Sequence, residues 1–127
     1  MSELDSERRA RGRRVFAEIN GFDAPEATPP ITEFTLDHVF SEVWTRPGLT
    51  RKERRWIAIT GVAAASAHTA LDIHIRSALA SGDITIEELR EATVHFAVYQ
   101  GFPKATMLHL AIERAWAELG PQSSPES

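Results

Sequence analysis

The chain has 127 residues, 43% of them hydrophobic and 25% charged, with a formal net charge of −4. That length suits a single domain, residues 1–127, with a real buried core, and the composition argues against wholesale disorder. There is no cysteine, which excludes disulfides, thiolate nucleophiles, CxxC redox chemistry and Cys-ligated zinc. No run approaches the roughly 20 apolar residues of a membrane span. The first residues are acids and arginines instead of an apolar signal core, so the expected location is the cytoplasm, with no membrane partner. An acidic balance also argues against nucleic acid as a partner.

Residues 2–19 are mostly polar, with Leu4, Val15, Phe16 and Ile19 as the large apolar groups. This predicts a surface helix ending near Asn20-Gly21, where glycine accepts the left-handed cap. The arginines at 8, 9, 11, 13 and 14 alternate with acids and read as a solvated face or inter-subunit ion pairs. Residues 22–31 hold Pro25, Pro29 and Pro30 and read as an arm or linker. A second helix is expected over 32–43, stopped by Arg46-Pro47-Gly48.

Thr50 and Glu53 have capping-box spacing ahead of a third helix, whose body from Trp56 to Ala65 is small and apolar and is expected to be buried all round. A fourth helix runs from Ala67 to Ser81 and closes at Gly82. Thr85 and Glu88 form a second capping box, with Ile84 placed to staple onto Leu89, for a fifth helix ending at Gln100. Pro103 suits the first turn of a sixth helix, expected to stop at Gly120-Pro121, with 121–127 left as a disordered tail. No alternating β pattern occurs. The class is all-α, with about six helices.

Five histidines invite chemistry. His74 falls in the apolar stripe of Leu71, Ile75, Ala78 and Leu79, so its imidazole is either a hydrogen-bonded core group or lines a cavity. His95 and Tyr99, four apart, project from one helix face beside the Gly-Phe-Pro break. They read either as a pocket wall or as a buried pair. His109 and Glu113 repeat that spacing and read as surface, while His68 has no evident role. No HExxH and no ligand spacing point to a metal, and neither a phosphate loop nor a GxSxG elbow occurs. No metal and no cofactor are expected.

Three segments together resemble a known family. Glu42-Val43-Trp44-Thr45-Arg46-Pro47-Gly48-Leu49-Thr50 is similar to the E-x-W-x-R-P-G-L-S/T block of the carboxymuconolactone decarboxylase family. His74 through Leu79, with Gly82 and Glu87-Glu88-Leu89, resembles its H-x-R-x-A-L block. His95 through Ala105 resembles its H-x-A-x-Y-x-G-x-P-x-A block. The blocks lie in order across about 80 residues. The resemblance implies a helical-hairpin core of the alkylhydroperoxidase-D-like type, over residues 32–120, and a homo-oligomer, trimer or hexamer. The family's thiol-peroxidase branch would place cysteines at 67 and 70, where this chain has Ala67 and Ala70, so the decarboxylase branch remains. Arg55 stands where many members carry an acid.

The resemblance implies cofactor-independent decarboxylation of a 4-carboxymuconolactone-type acid to 3-oxoadipate enol-lactone, within aromatic catabolism, with the lactone itself as electron sink. Such a small anionic substrate needs a cation, which points to Arg46 and then Arg76. It also needs an oxyanion donor and a proton source. On that reading His74 delivers the proton, His95 and Tyr99 contact oxyanion or carboxylate, Glu42 orients a histidine and Trp44 walls the pocket. The alternatives are a family member acting on another ring or unsaturated acid through the same histidine site, and a non-catalytic oligomeric binding protein.

Overall fold

The computed structural model describes residues 2–123. The described part is all-α, 79% helical with no strand, and it forms two compact units, Met1–Arg51 and Lys52–Ser127.

In the first unit, Ser2 caps α1 (Glu3–Asn20) by accepting the Asp5 N–H at 3.0 Å, and Gly21 ends it at φ 85°. α2 (Pro30–Phe34) begins at a proline, whose missing N–H costs nothing in a first turn. It continues as a π-helix, Thr35–Val43. The expected single α-helix over 32–43 is thus a short α-turn followed by wider turns, shown by the Trp44 N–H bonding back five residues to the Val39 carbonyl at 3.0 Å. That wider turn brings Leu36, Phe40 and Ser41 to one buried side. Gly12 lets the Leu36 carbonyl lie against α1, where a Cβ would overlap it. Val15, Phe16 and Ile19 of α1 complete the core, with the Phe16 and Phe40 rings edge-on at 5.0 Å.

The arginine-rich start is ordered and turns partly inward. Arg9 grips Asp37 with both ends of its guanidinium at 2.5 and 2.8 Å, a bidentate pairing that holds the Asp37 carboxyl below its ordinary range. Arg11 donates to the Ser41 carbonyl, and Arg13 to the carbonyls of Ala24 and Pro25 in the arm. Arg9, Arg11 and Arg13 join pieces of one unit, which corrects the expectation of a wholly solvated face, whereas Arg14 stays solvated at 63% exposure.

The second unit contains α3 (Arg51–Ala64, whose first residue belongs to the first unit), α4 (His68–Ser81), α5 (Ile86–Gln100) and α6 (Phe102–Ser123). α6 packs against both α4 and α5, and its Ala105, Leu108, Ile112 and Ala115 are buried with Leu71, Ile75, Leu89 and Phe96. Each large aliphatic group so buried contributes about 1.5–3 kcal/mol. Gly82 ends α4 at φ 78°. The Thr85–Glu88 capping box is formed in both directions, at 3.1 and 2.9 Å, and Ile84 and Leu89 are each 1% exposed.

Two helical expectations are corrected. The apolar α3 is not buried all round: it buries Arg55, Ile59 and Ala63 and leaves Ile57 exposed. α6 runs through Gly120-Pro121 to Ser123. Of the expected tail, residues 124–127 lie outside the described residues. No helix among the described residues is long and apolar enough to cross a membrane.

Candidate functional site

Two small residues of α3, Gly61 and Ala64, leave room between α3 and α5 for a groove of about 720 Å3. Trp56, Ile57 and Thr60 form its α3 wall, and His95, Phe96, Tyr99 and Gln100 its α5 wall. Helical spacing sets His95 and Tyr99 on successive turns of one face, and their ring centroids lie 5.3 Å apart. Both are exposed, so the buried-pair reading is replaced by the pocket-wall reading. The Thr60 hydroxyl donates to the Trp56 carbonyl at 2.7 Å, and the imidazole, the phenol and the Gln100 amide are polar groups within a largely apolar lining.

A cation stands at the edge of this groove. Lys104, near the start of α6, donates from Nζ to the Ala64 carbonyl at 2.5 Å, and Ala64 is itself a lining residue. The ammonium complements the negative end of α3 and keeps further N–H groups for an anion. Sequence reasoning missed Lys104, Trp56 and Thr60. The signal for the groove was the Gly61/Ala64 spacing on an otherwise apolar helix.

His74 is half-buried on α4 between Ile73 and Ile75 and is not among the residues lining the groove. Burial, and after it the positive charge of Arg55, push its pKa below the ordinary 6.5. His74 is therefore a neutral imidazole at neutral pH. Arg76, on the same helix, is ion-paired to Glu118 of α6 at 2.5 Å, so its charge is engaged in holding α4 to α6.

The other expected site residues belong to the first unit. Glu42 does meet a histidine, but that histidine is His38, with Nδ1 3.4 Å from Glu42 Oε1 on the exposed side of the π-helix. The Trp44 ring stacks on Phe40 at 6.1 Å and packs on the first unit's core. Arg46 is exposed. Among the described residues no group of three or more His, Asp or Glu side chains is placed to hold a metal ion. A second groove, of about 580 Å3, flanks α5 on its α6 side, between Val94, Ala97, Phe102 and Ile112. At its rim Arg90 holds Glu113 bidentately at 2.8 and 2.9 Å.

The sequence pattern of the carboxymuconolactone decarboxylase family matches residues 29–113. The chain belongs to this family. The carboxymuconolactone decarboxylase match takes in the π-helix and α3 to α5, and so spans both groove walls. Among individual proteins, the chain is 37% identical to nitrosuccinic acid decarboxylase npaB of Metarhizium robertsii over 81 residues, 64% of this chain. It spans only 56% of that fungal protein's length. It is 29% identical to 4-carboxymuconolactone decarboxylase of Acinetobacter baylyi over 125 residues, covering 91% of this chain and 92% of that protein. Both relatives are named as decarboxylases.

Proposed function

We propose that this family member is a carboxy-lyase that removes CO2, without a cofactor, from a small acid whose leaving carboxylate is conjugated to an internal electron sink. The observation that carries the reading is the His95–Tyr99 pair on the wall of a largely apolar groove, with Lys104 bonded to the lining residue Ala64. In 4-carboxymuconolactone the C–CO2 electron pair moves through the ring alkene toward the lactone carbonyl. A proton then adds to the carbon beside that carbonyl, giving 3-oxoadipate enol-lactone. The protein has to anchor a second carboxylate, stabilise the developing oxyanion and deliver the proton.

Lys104 suits the anchor, since an ammonium is a compact point charge for a carboxylate. Tyr99 suits the oxyanion, because its phenol donates a hydrogen bond without carrying charge. His95 suits proton delivery, since an imidazole can both donate and accept a proton. His74, held neutral, acts as a hydrogen-bonding group and not as an imidazolium donor. This shifts the expected proton source from His74 to His95. The apolar lining favours loss of charge on passing from dicarboxylate to monocarboxylate product.

A second reading has its own support. The higher identity, although over a shorter stretch, is to a nitrosuccinic acid decarboxylase. In nitrosuccinate the nitro group takes the electron pair as the lactone does in the first substrate, so the same groups serve both reactions.

Purified full-length protein is tested with 4-carboxymuconolactone and with nitrosuccinate in parallel, following CO2. Release from either that falls at least about 100-fold in Tyr99→Phe or His95→Gln supports the groove as the site. Release from neither, by a folded protein, overturns the decarboxylase reading.

A further inference from the structure

We infer that Gly61, inside α3, is a specificity-determining residue of the His95–Tyr99 groove: the side chain it lacks is the space that a rigid ring on the substrate fills. The inference rests on the functional reading above and adds to it the shape of acid that the groove prefers.

Glycine is the poorest helix former after proline, so a glycine in a helix interior needs a reason. Gly21, Gly82 and Gly101 stand at positive φ. Gly12 lies against the Leu36 carbonyl and Gly120 against the Trp116 ring, while Gly48 is in the turn ahead of α3. Gly61 has none of these reasons. It is not at positive φ, and its carbonyl accepts the Ala65 N–H at 3.1 Å as a helix requires. A Cβ added there would meet nothing within 4 Å. What lies over Gly61 is the groove.

Ile57, Thr60, Gly61 and Ala64 share one face of α3 by their spacing, and all four line the groove. Ile57 is 60% exposed and stands one turn before Gly61, so this face steps down from a branched side chain to bare backbone. The lining beside it is flat, with the Trp56 indole from α3 and the His95 and Tyr99 rings from α5. Bare backbone next to flat groups admits a planar ring face-on. A rigid ring needs its whole area clear, whereas an open chain can turn aside from a single methyl group. Ala64 follows three residues on, about 4.5 Å along the axis, and its carbonyl holds the Lys104 ammonium. A similar span separates the centre of a five-membered ring from the carboxylate of a one-carbon arm. A ring seated over Gly61 therefore lets that carboxylate reach Lys104. Gly61 thereby favours a ring acid with a short arm over an open-chain acid of similar size.

The test compares full-length wild type, Gly61→Ala and Gly61→Leu. One added carbon in a fitted pocket changes selectivity about 10–200-fold. Gly61→Ala should lose at least about tenfold in kcat/KM on 4-carboxymuconolactone, chiefly through KM, and Gly61→Leu at least about 100-fold. On nitrosuccinate, Gly61→Ala should stay within about threefold of wild type. Its urea midpoint should rise, since alanine favours helix and the methyl group enters open space. A packing role would not join a gain in stability to the loss of one substrate. Muconolactone keeps the ring and the arm but has no carboxylate to lose. In calorimetric titration it should bind Gly61→Ala at least about tenfold more weakly than wild type. Full kcat/KM on the ring acid, equal losses on both acids, or a lowered urea midpoint in Gly61→Ala overturns the assignment. Turnover of nitrosuccinate alone by wild type overturns it too. If wild type releases CO2 from neither acid, the decarboxylase reading falls and muconolactone affinity judges Gly61 separately. Weaker binding by Gly61→Ala then upholds its role, while equal binding, or none by wild type, ends it.

Discussion

Arg55 donates from Nε to Asp83 Oδ2 over 2.7 Å, from a side chain only 1% exposed. A full charge thus sits inside the second unit, with a counter-charge drawn from the turn between α4 and α5. Taking the carboxylate away leaves the guanidinium desolvated with less compensation, which is costlier than removing both charges. Asp83→Ala is expected to destabilise by ~2–4 kcal/mol, whereas Arg55→Met should stay within about 1.5 kcal/mol of wild type. Urea unfolding of the two variants checks the order, and an Arg55→Met more damaging than Asp83→Ala would sink this account.

His74 gives stability a pH dependence of known sign. Its folded pKa is held below 6.5 by burial and then by Arg55, so between the folded and unfolded values the unfolded chain binds more protons. Its contribution is complete above about pH 6.5 and is lost as pH falls through the folded value, by at most ~1.4 kcal/mol per pH unit. Urea midpoints from pH 8 to pH 5 should fall less steeply for His74→Gln than for wild type. Parallel curves would show that His74 titrates normally.

Gly12 is where α1 admits the π-helix. A methyl group there meets the backbone carbonyl of Leu36, not the far end of a flexible side chain. Gly12→Ala is expected to destabilise the first unit by about 3 kcal/mol, at the upper end for overpacking. Amide exchange should show lost protection in α1 and in the π-helix, and unchanged protection there would contradict the close approach.

Tyr99 separates chemistry from stability. Its side chain is three-quarters outside, so Tyr99→Phe should change stability by less than ~0.5 kcal/mol. The same variant is expected to lower kcat by about 100-fold with KM little changed, as for a donor used only in the transition state. Lys104→Met should instead raise KM. A Tyr99→Phe enzyme with full kcat would remove the phenol from the mechanism.

What the chain showed in advance was whatever is coded locally. The Thr85–Glu88 box, the Gly21 and Gly82 caps and the HxxxY spacing are signals within one or two turns, and each is present where expected. The π-helix was not legible, because apolar spacings of four residues fit 3.6 and 4.4 residues per turn almost equally over nine residues. Arg55 was visible as a departure, but its burial depends on Asp83, 28 residues away. Long-range pairing also decided the site residues. Arg76 answers to Glu118 and Glu42 to His38, and no pattern in the chain distinguishes those partners from a substrate. Lys104 was hidden for the same reason, since its acceptor lies 40 residues upstream.

The turn from Gly82 to Thr85 has little freedom to change length. Gly82 supplies the left-handed residue that ends α4, and Asp83 neutralises Arg55. Ile84 buries its side chain while its N–H reaches the Ala78 carbonyl, and Thr85 opens α5. Surface turns are ordinarily where chains gain and lose residues. Here one inserted residue would withdraw a buried counter-ion, a core side chain or a helix cap from its place. Length variation among proteins that share this Arg55–Asp83 pairing should therefore collect outside this turn, and the α4–α5 hairpin should keep a constant span even as its helices change sequence.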